Sequence, residues 1–415
     1  MSERGPSLDD AAVETILREV VETLAPLERT PCSAGEREAA QWLAERLRDT
    51  PGVRVELEEE DSWGTFPPTS TGLGLLGLSG ALSVLCGRRA TGGLLALAAF
   101  AGIVDEAHNG PRLLRRAVRR RRRTVNVIAT IDAGGGVAEQ AQSTLVVHAH
   151  HDAPQTGALF DQTLQRRLYE RAPQVLERFK TPLPQWWIGL GGCLATIVSA
   201  LSGRRGFARA GAAVGLLGTA AVADIWRNET VQGANDNLSG VAALVALAQM
   251  LRDDPVPGLR VLLVSCGAEE TLQDGVRAYV ARHRGELDPA RTAFLNLDTV
   301  GSPHLVLLEA EGPVKMEEYT GPWLRDLVAE RAERLGIALQ RGFRARASTD
   351  SVIPSRAGYA TAALVSMTDW RSPANYHLPS DVPANLDYAS VADAARLVFD
   401  VAHALPRTPD GALPS

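Results

Sequence analysis

Six residues in this chain could share one chemistry: His150, Asp236, Glu269, Glu270, Asp298 and His377. Each stands at the end of an apolar, strand-like run or just ahead of a helical one. Imidazole nitrogens and carboxylate oxygens are ligands for a divalent metal such as zinc, and a spare carboxylate can move a proton. Five ligands with one spare carboxylate make the set that a two-metal hydrolytic centre needs.

Each segment has a plainer reading beside the chemical one. In VVHAHHDAP the apolar run brings His150 and Asp152 to a strand end, where open α/β sheets place their sites. Asp152 could orient His150. The alternative is a surface histidine, and His148, on the same face as His150 in an extended segment, is not excluded by spacing; His151 is a second decoy. In GANDNLSGVAALVALA, Gly233 permits a sharp turn and Asp236 precedes a helix; it could ligate a metal or simply cap that helix. In VLLVSCGAEETLQDG a buried strand runs into Glu269 and Glu270. One could bind metal while the other takes a proton from metal-bound water, or both could begin a solvated helix. FLNLDTVG ends another apolar strand on Asp298. ANYHLPSDVP holds Tyr376, His377 and Asp381 in a proline-bounded loop, and Asp350 in ASTDSVIP is a further loop acid. Asp350, Asp381 and Tyr376 are expected behind the ligands or on the substrate side.

The elements that must position these groups follow from periodicity. Helices are expected over 8–30, 34–49, 161–180, 238–251, 275–284, 319–335 and 389–404, with Ser33 and Glu36 as a capping box for the second. Strands are expected over 53–59, 125–131, 144–149, 259–265, 292–297, 305–308 and 361–366. Strands alternating with helices imply a mostly parallel sheet covered on both faces.

Two stretches break the rhythm. Residues 62–87 and 90–104 carry no charge and flank Arg88 and Arg89; residues 181–203 and 210–223 do the same around Arg204, Arg205 and Arg209. Both read as apolar helical hairpins. The charge-free arms are 26 and 15 residues long in the first and 23 and 14 in the second. A bilayer span needs about 20 apolar residues, with about 17 as the lower edge, so only the first arms qualify unless flanking arginines snorkel. Trp186, Trp187 and Trp226 would lie on one side like an interfacial belt, and Ala98 with Gly102, and Gly211 with Gly215, would permit close packing. Eight arginines between 112 and 123 outnumber those in the turns, which by the positive-inside rule puts the remainder of the chain in the cytoplasm. A soluble helical subdomain is the alternative.

Composition agrees with an intracellular protein. The chain has 415 residues and a net charge of −6, which argues against a nucleic-acid partner despite the basic tract. Four cysteines, without metal-type spacing, read as reduced thiols, and the acidic amphipathic start lacks the features of a signal peptide.

Taken in order, His150-His151-Asp152, Asn235-Asp236-Asn237, Glu269-Glu270, Asn296-Leu297-Asp298 and Tyr376-His377 resemble metallopeptidase family twenty-eight, the dizinc aminopeptidases and glutamate carboxypeptidase-like enzymes. The resemblance implies a three-layer α/β/α sandwich with a mixed, mostly parallel central sheet. It implies two Zn2+ ions bridged by Asp236, one completed by His150 and Asp298 and the other by Glu270 and His377. Glu269 would be the general base and Asp152 would orient His150. The expected domain comprises 1–61, 123–154 and 231–406, interrupted by insertions at 62–122 and 155–230 and followed by a disordered tail at 407–415. The expected activity is exopeptidase cleavage, first of all by an aminopeptidase acting on peptides. The alternatives are a carboxypeptidase or other amide hydrolase, or an inactive membrane scaffold. The expected location is the membrane, with a soluble cytoplasmic protein as alternative; a homo-oligomer is compatible with either. The separation of His150 from Asp236 departs from the family, in which a short loop joins them, and leaves substrate preference open.

Overall fold

A computed structural model describes residues 8–132, 143–177, 186–406, 408 and 411–414. Nine strands form one mixed sheet: β1 (Val53–Ser62), β2 (Arg122–Ile131), β3 (Ser143–His150), β4 (Leu259–Cys266), β5 (Thr292–Leu297), β6 (His304–Glu311), β7 (Glu317–Glu318), β8 (Leu339–Ala345) and β9 (Ala360–Met367). Their order is β1-β2-β4-β3-β5-β9-β6-β7, with β8 also on β6. The parallel pairings run through the centre, β4-β3-β5-β9, and recur between β6 and β8. β1, β2 and β7 pair antiparallel, and so do β6 and β9.

Helices cover both faces. In chain order they are α1 (Asp10–Leu24), α2 (Ala34–Arg48), α3 (Pro67–Leu85), α4 (Arg89–Ala107), α5 (Leu113–Val118), α6 (Thr163–Arg171), α7 (Pro173–Glu177), α8 (Trp187–Ser202), α9 (Arg205–Arg227), α10 (Ser239–Asp253), α11 (Asp274–His283), α12 (Pro322–Leu335), α13 (Val352–Arg356) and α14 (Tyr388–Ala404). Leu145 and Val147 point into the core beneath α1, α2, α10, α12 and α14, while Val146 between them joins Val276 and Tyr279 of α11 on the opposite face. A strand buried on both sides has little use for polar alternates, so β3, β4, β5 and β9 are mostly apolar, with His148 and Asn296 among the exceptions. The three-layer sandwich expected from the sequence is therefore present.

Several local expectations change. The helix expected over 161–180 is broken between Arg171 and Pro173, where proline has no N–H to continue the ladder and starts α7 instead; residues 178–180 lie outside the described ones. The tail is anchored where it is described: the Ser143 hydroxyl donates to the Gly411 carbonyl at 2.7 Å, and the Leu413 N–H to the Ala290 carbonyl at 2.9 Å. These bonds correct the expectation of disorder for that part.

The two insertions combine. α3 packs on α4, α8 and α9, and α4 on α8, so four helices make one bundle. The arm lengths differ from expectation. α3 and α4 both have 19 residues, α8 has 16 and α9 has 23. Helices do not stop at the first charge: α9 starts at Arg205 and runs through Arg209 and Asp224. α3, α4 and α9 are long and apolar enough to cross a membrane, and α8 is shorter; residues 181–185 of its expected arm lie outside the described ones. Contacts are close because the facing residues are small. A Cβ on Gly92 would meet the Gly80 carbonyl at 2.5 Å, and one on Gly211 would meet the Gly192 carbonyl at 2.7 Å. Ala98, expected at such a contact, is exposed; Ala96 and Ala99 face inward instead. At the far end Arg89 donates to the Ala200 and Leu201 carbonyls, both at 2.9 Å, tying the two turns together.

Candidate metal and catalytic site

The parallel strands all end at one edge, and the six residues meet there. His150 closes β3, Glu269 and Glu270 follow β4, and Asp298 follows β5. Asp236 precedes α10, and His377 lies in the loop after β9. One Asp236 oxygen lies 3.2 Å from His150 Nε2 and the other 3.0 Å from His377 Nε2, so a single carboxylate faces two imidazoles; Glu270 Oε1 lies 3.4 Å from His377 Nε2. Ligand atoms of His150, Asp236 and Asp298 lie within 4.8 Å of one another, as do those of Asp236, Glu270 and His377. A third such group joins His150, Glu269 and Glu270.

These residues fit a metal. Asp236 Oδ2 and His377 Nε2 lie 3.0 Å apart without hydrogen-bond geometry, and His377 Nδ1 is buried without a hydrogen-bond partner. The acids also exceed the positive charge available. Arg29, the fixed cation nearby, faces Asp152 and Asp381 rather than the inner group. Burial tends to lift the Asp236 carboxylate, but His150 and His377 outweigh it and hold the group well below the usual range. Burial likewise opposes charge on His377, yet Glu270 and Asp236 raise it to about 10. Burial raises Asp298 to about 7. Burial, with Glu270, Asp350 and Asp298 and against the pull of His150, holds Glu269 well above its ordinary value. For Asp236 the two imidazoles do the work that bound cations would do.

The supporting residues have specific partners. Asp152 lies 3.4 Å from His150 Nδ1 and also accepts the Glu269 and Glu270 N–H groups at 3.0 and 2.9 Å, so it serves two loops. Asp381 accepts the Asn235 and Asp236 N–H groups at 2.7 and 3.1 Å, fixing the peptide that carries the central carboxylate. Tyr376 stacks on His377 with centroids 4.0 Å apart. Asp350 groups with His148 and Cys266, near enough to the six residues to act on Glu269 and His150 electrostatically. His151 turns to the Ser265 hydroxyl at 2.9 Å. Burial lowers His148 to about 3 and His151 to about 4, so both decoys are neutral and apart from the six.

Four contributors have no signal in the sequence. Arg29, fully buried, donates to the His151 carbonyl at 2.9 Å and the Gln232 carbonyl at 2.6 Å, clamping the loops of His150 and Asp236 together. Glu36 leaves the expected capping box half made. Ser33 accepts the Glu36 N–H, but the Glu36 carboxylate turns to the Cys32 and Ala268 N–H groups, both at 2.8 Å, and so holds the approach to Glu269. Phe160, from the second insertion, packs on His377 with centroids 4.3 Å apart. Gln273 donates to Glu269 Oε1 at 2.6 Å. The basic tract is also redefined. Arg112 and Arg115 are buried and paired with Asp274 and Glu106, while Arg121 and Arg123 pair with Asp61.

The fold is the α/β/α sandwich seen in zinc peptidases. An aminopeptidase from Aneurinibacillus sp. strain AM-1 superposes with a TM-score of 0.53 at 13% identity, covering 97% of this chain and 94% of its own. A Zn-dependent exopeptidase from Parabacteroides distasonis gives 0.53 at 14% over 96% and 99%. A glutaminyl cyclase from Fimbriiglobus ruber gives 0.53 at 16% over 97% of each chain. No curated protein sequence matches significantly. Residues 218–402, which carry Asp236, Glu269, Glu270, Asp298 and His377, match the model of Peptidase family M28. The match starts inside α9, so the second insertion separates it from His150.

Proposed function

We propose that this chain is a zinc-dependent exopeptidase, foremost an aminopeptidase, anchored in a membrane by its four-helix bundle. The observation that carries the catalytic part is the Asp236 carboxylate shared between two imidazoles, with Glu269 beside them. His150 and Asp298 would hold one zinc ion, Glu270 and His377 a second, and Asp236 both. Bound zinc would supply an acidified water, with a pKa of about 7, and polarise the scissile carbonyl. Glu269 then takes the proton of the attacking water and delivers it to the departing amine.

The membrane part rests on what the bundle leaves uncovered. Leu75, Leu82, Leu94, Leu97, Leu194 and Leu217 are all more than half exposed, a surface that an aqueous domain rarely presents. Trp226 is half exposed, whereas Trp187 donates to the Pro313 carbonyl at 2.7 Å and so ties α8 to the hydrolytic domain. The arginines of the basic tract that are not buried favour the cytoplasmic side. A dimer that covers the leucines is the competing explanation.

Purified protein, with and without chelator, is to be offered aminoacyl anilides, blocked and free peptides, and a peptide with N-terminal glutamine. Chelator-sensitive release of N-terminal residues is expected. Cleavage only at C-termini, or cyclisation of the glutaminyl peptide without hydrolysis, would replace the aminopeptidase reading.

A further inference from the structure

The first insertion does more than extend from the sheet: its exit segment, just after α4, is bonded to the loop that carries Glu269. Asn109 Nδ2 donates to Gln273 Oε1 at 2.7 Å, and Gln273 Nε2 donates to Glu269 Oε1 at 2.6 Å and to the Ser348 carbonyl at 3.0 Å. All three side chains are buried. Arg112 pairs with Asp274, which also accepts the Ser62 hydroxyl at 2.7 Å, and Arg115 donates to the Thr271 carbonyl. The loop 269–274 is thus gripped at three places from residues 109–115.

The polarity of this chain is determined at its outer end. A guanidinium can only donate. Arg112 and Arg277 both donate to Asn109 Oδ1, at 2.7 and 2.9 Å, so the Asn109 amide must turn its NH2 towards Gln273. Gln273 must then present its carbonyl to Asn109 and its NH2 to Glu269. A carboxylate held through one oxygen by an amide donor keeps its other oxygen free for water. We infer that Asn109 and Gln273 are positioning residues for the Glu269 carboxylate, so that the inserted helical module completes the catalytic loop. This rests on the proposed role of Glu269.

Asn109→Asp tests the idea, because structure and orientation then pull apart. An aspartate there gains charge pairing with Arg112 and Arg277, so Tm is expected to hold or rise. It can only accept, however, so Gln273 would be turned with its carbonyl towards Glu269. We expect kcat to fall roughly tenfold, the loss of one oriented hydrogen bond, with KM and zinc content unchanged. Gln273→Leu is expected to give a similar fall, and adding Asn109→Asp to it should change kcat no further. Wild-type kcat in Asn109→Asp, equal losses in both backgrounds, or a parallel loss of zinc would each overturn the inference. If the wild-type protein hydrolyses no peptide, the reading of Glu269 itself fails, which is a separate result.

Discussion

At the scale of the residue, the proposed division of labour separates chemistry from metal retention. Glu269→Gln should lower kcat by about 10²–10⁴-fold while zinc content stays at the wild-type level. Asp236→Ala should instead lose zinc, since its carboxylate faces both imidazoles; metal analysis of the two purified variants distinguishes them, and full zinc in Asp236→Ala would remove its bridging role. Glu311, a buried acid outside the proposed ligand set, should make stability depend on pH. Burial raises Glu311 from 4.5 to about 8, although it accepts from the Thr349 N–H at 2.9 Å. The folded protein keeps this proton up to about pH 8, whereas the unfolded chain releases it near pH 4.5. The native state therefore binds more protons in that window, and stability falls as pH rises through it, by on the order of a few kcal/mol. Urea midpoints at pH 5 and pH 8.5 should differ less in Glu311→Gln than in wild type; equal differences would show that Glu311 does not titrate in this way.

At the scale of the element, the insertions deserve separate tests from the sheet. Phe160 sits in a short turn of the second insertion and reaches His377, so the specificity of the cleft is expected to depend on it. Phe160→Ala should change the ranking of N-terminal residues in kcat/KM more than it changes kcat for the best substrate. An unchanged ranking would assign Phe160 to packing alone. Within the bundle, a Cβ on Gly192 would lie 2.8 Å from the Gly215 nitrogen. Gly192→Leu should force α8 from α9 and lower stability by about 1–3 kcal/mol in detergent, read as a drop in Tm; a wild-type Tm would mean the helices separate freely.

At the scale of the whole molecule, the question is what covers the exposed leucines. Full-length protein should float with liposomes and resist a salt wash, because apolar burial is indifferent to screening. Fully soluble, monodisperse protein without detergent would exclude a bilayer, and a dimer in that state would favour the competing cover. The sheet and the bundle are not independent bodies in this respect, since Trp187, Arg112 and Arg115 bond across the junction.

The sequence alone determined the central strands and marked the candidate residues at their ends, with His148 still beside His150. Strands buried on both faces must be mostly apolar, and acids or histidines at their ends are costly without a purpose, so both leave a local signature. β8, by contrast, left none: Gly342 at φ +84° and its shifted register against β6 break the alternation a reader would look for. Tertiary structure alone decided which histidine joins the site, since His148 and His150 share a face and differ only in what β4 and the Asp350 loop bring to them. It alone turned Glu36 from a helix cap into a support for the Glu269 loop. It also sent two arginines of an apparently solvent-facing tract into the interior, where buried Glu106 and Asp274 await them. Arg112 and Asp274 are 162 residues apart; no local spacing records such a pairing, because it depends on how the chain returns to itself.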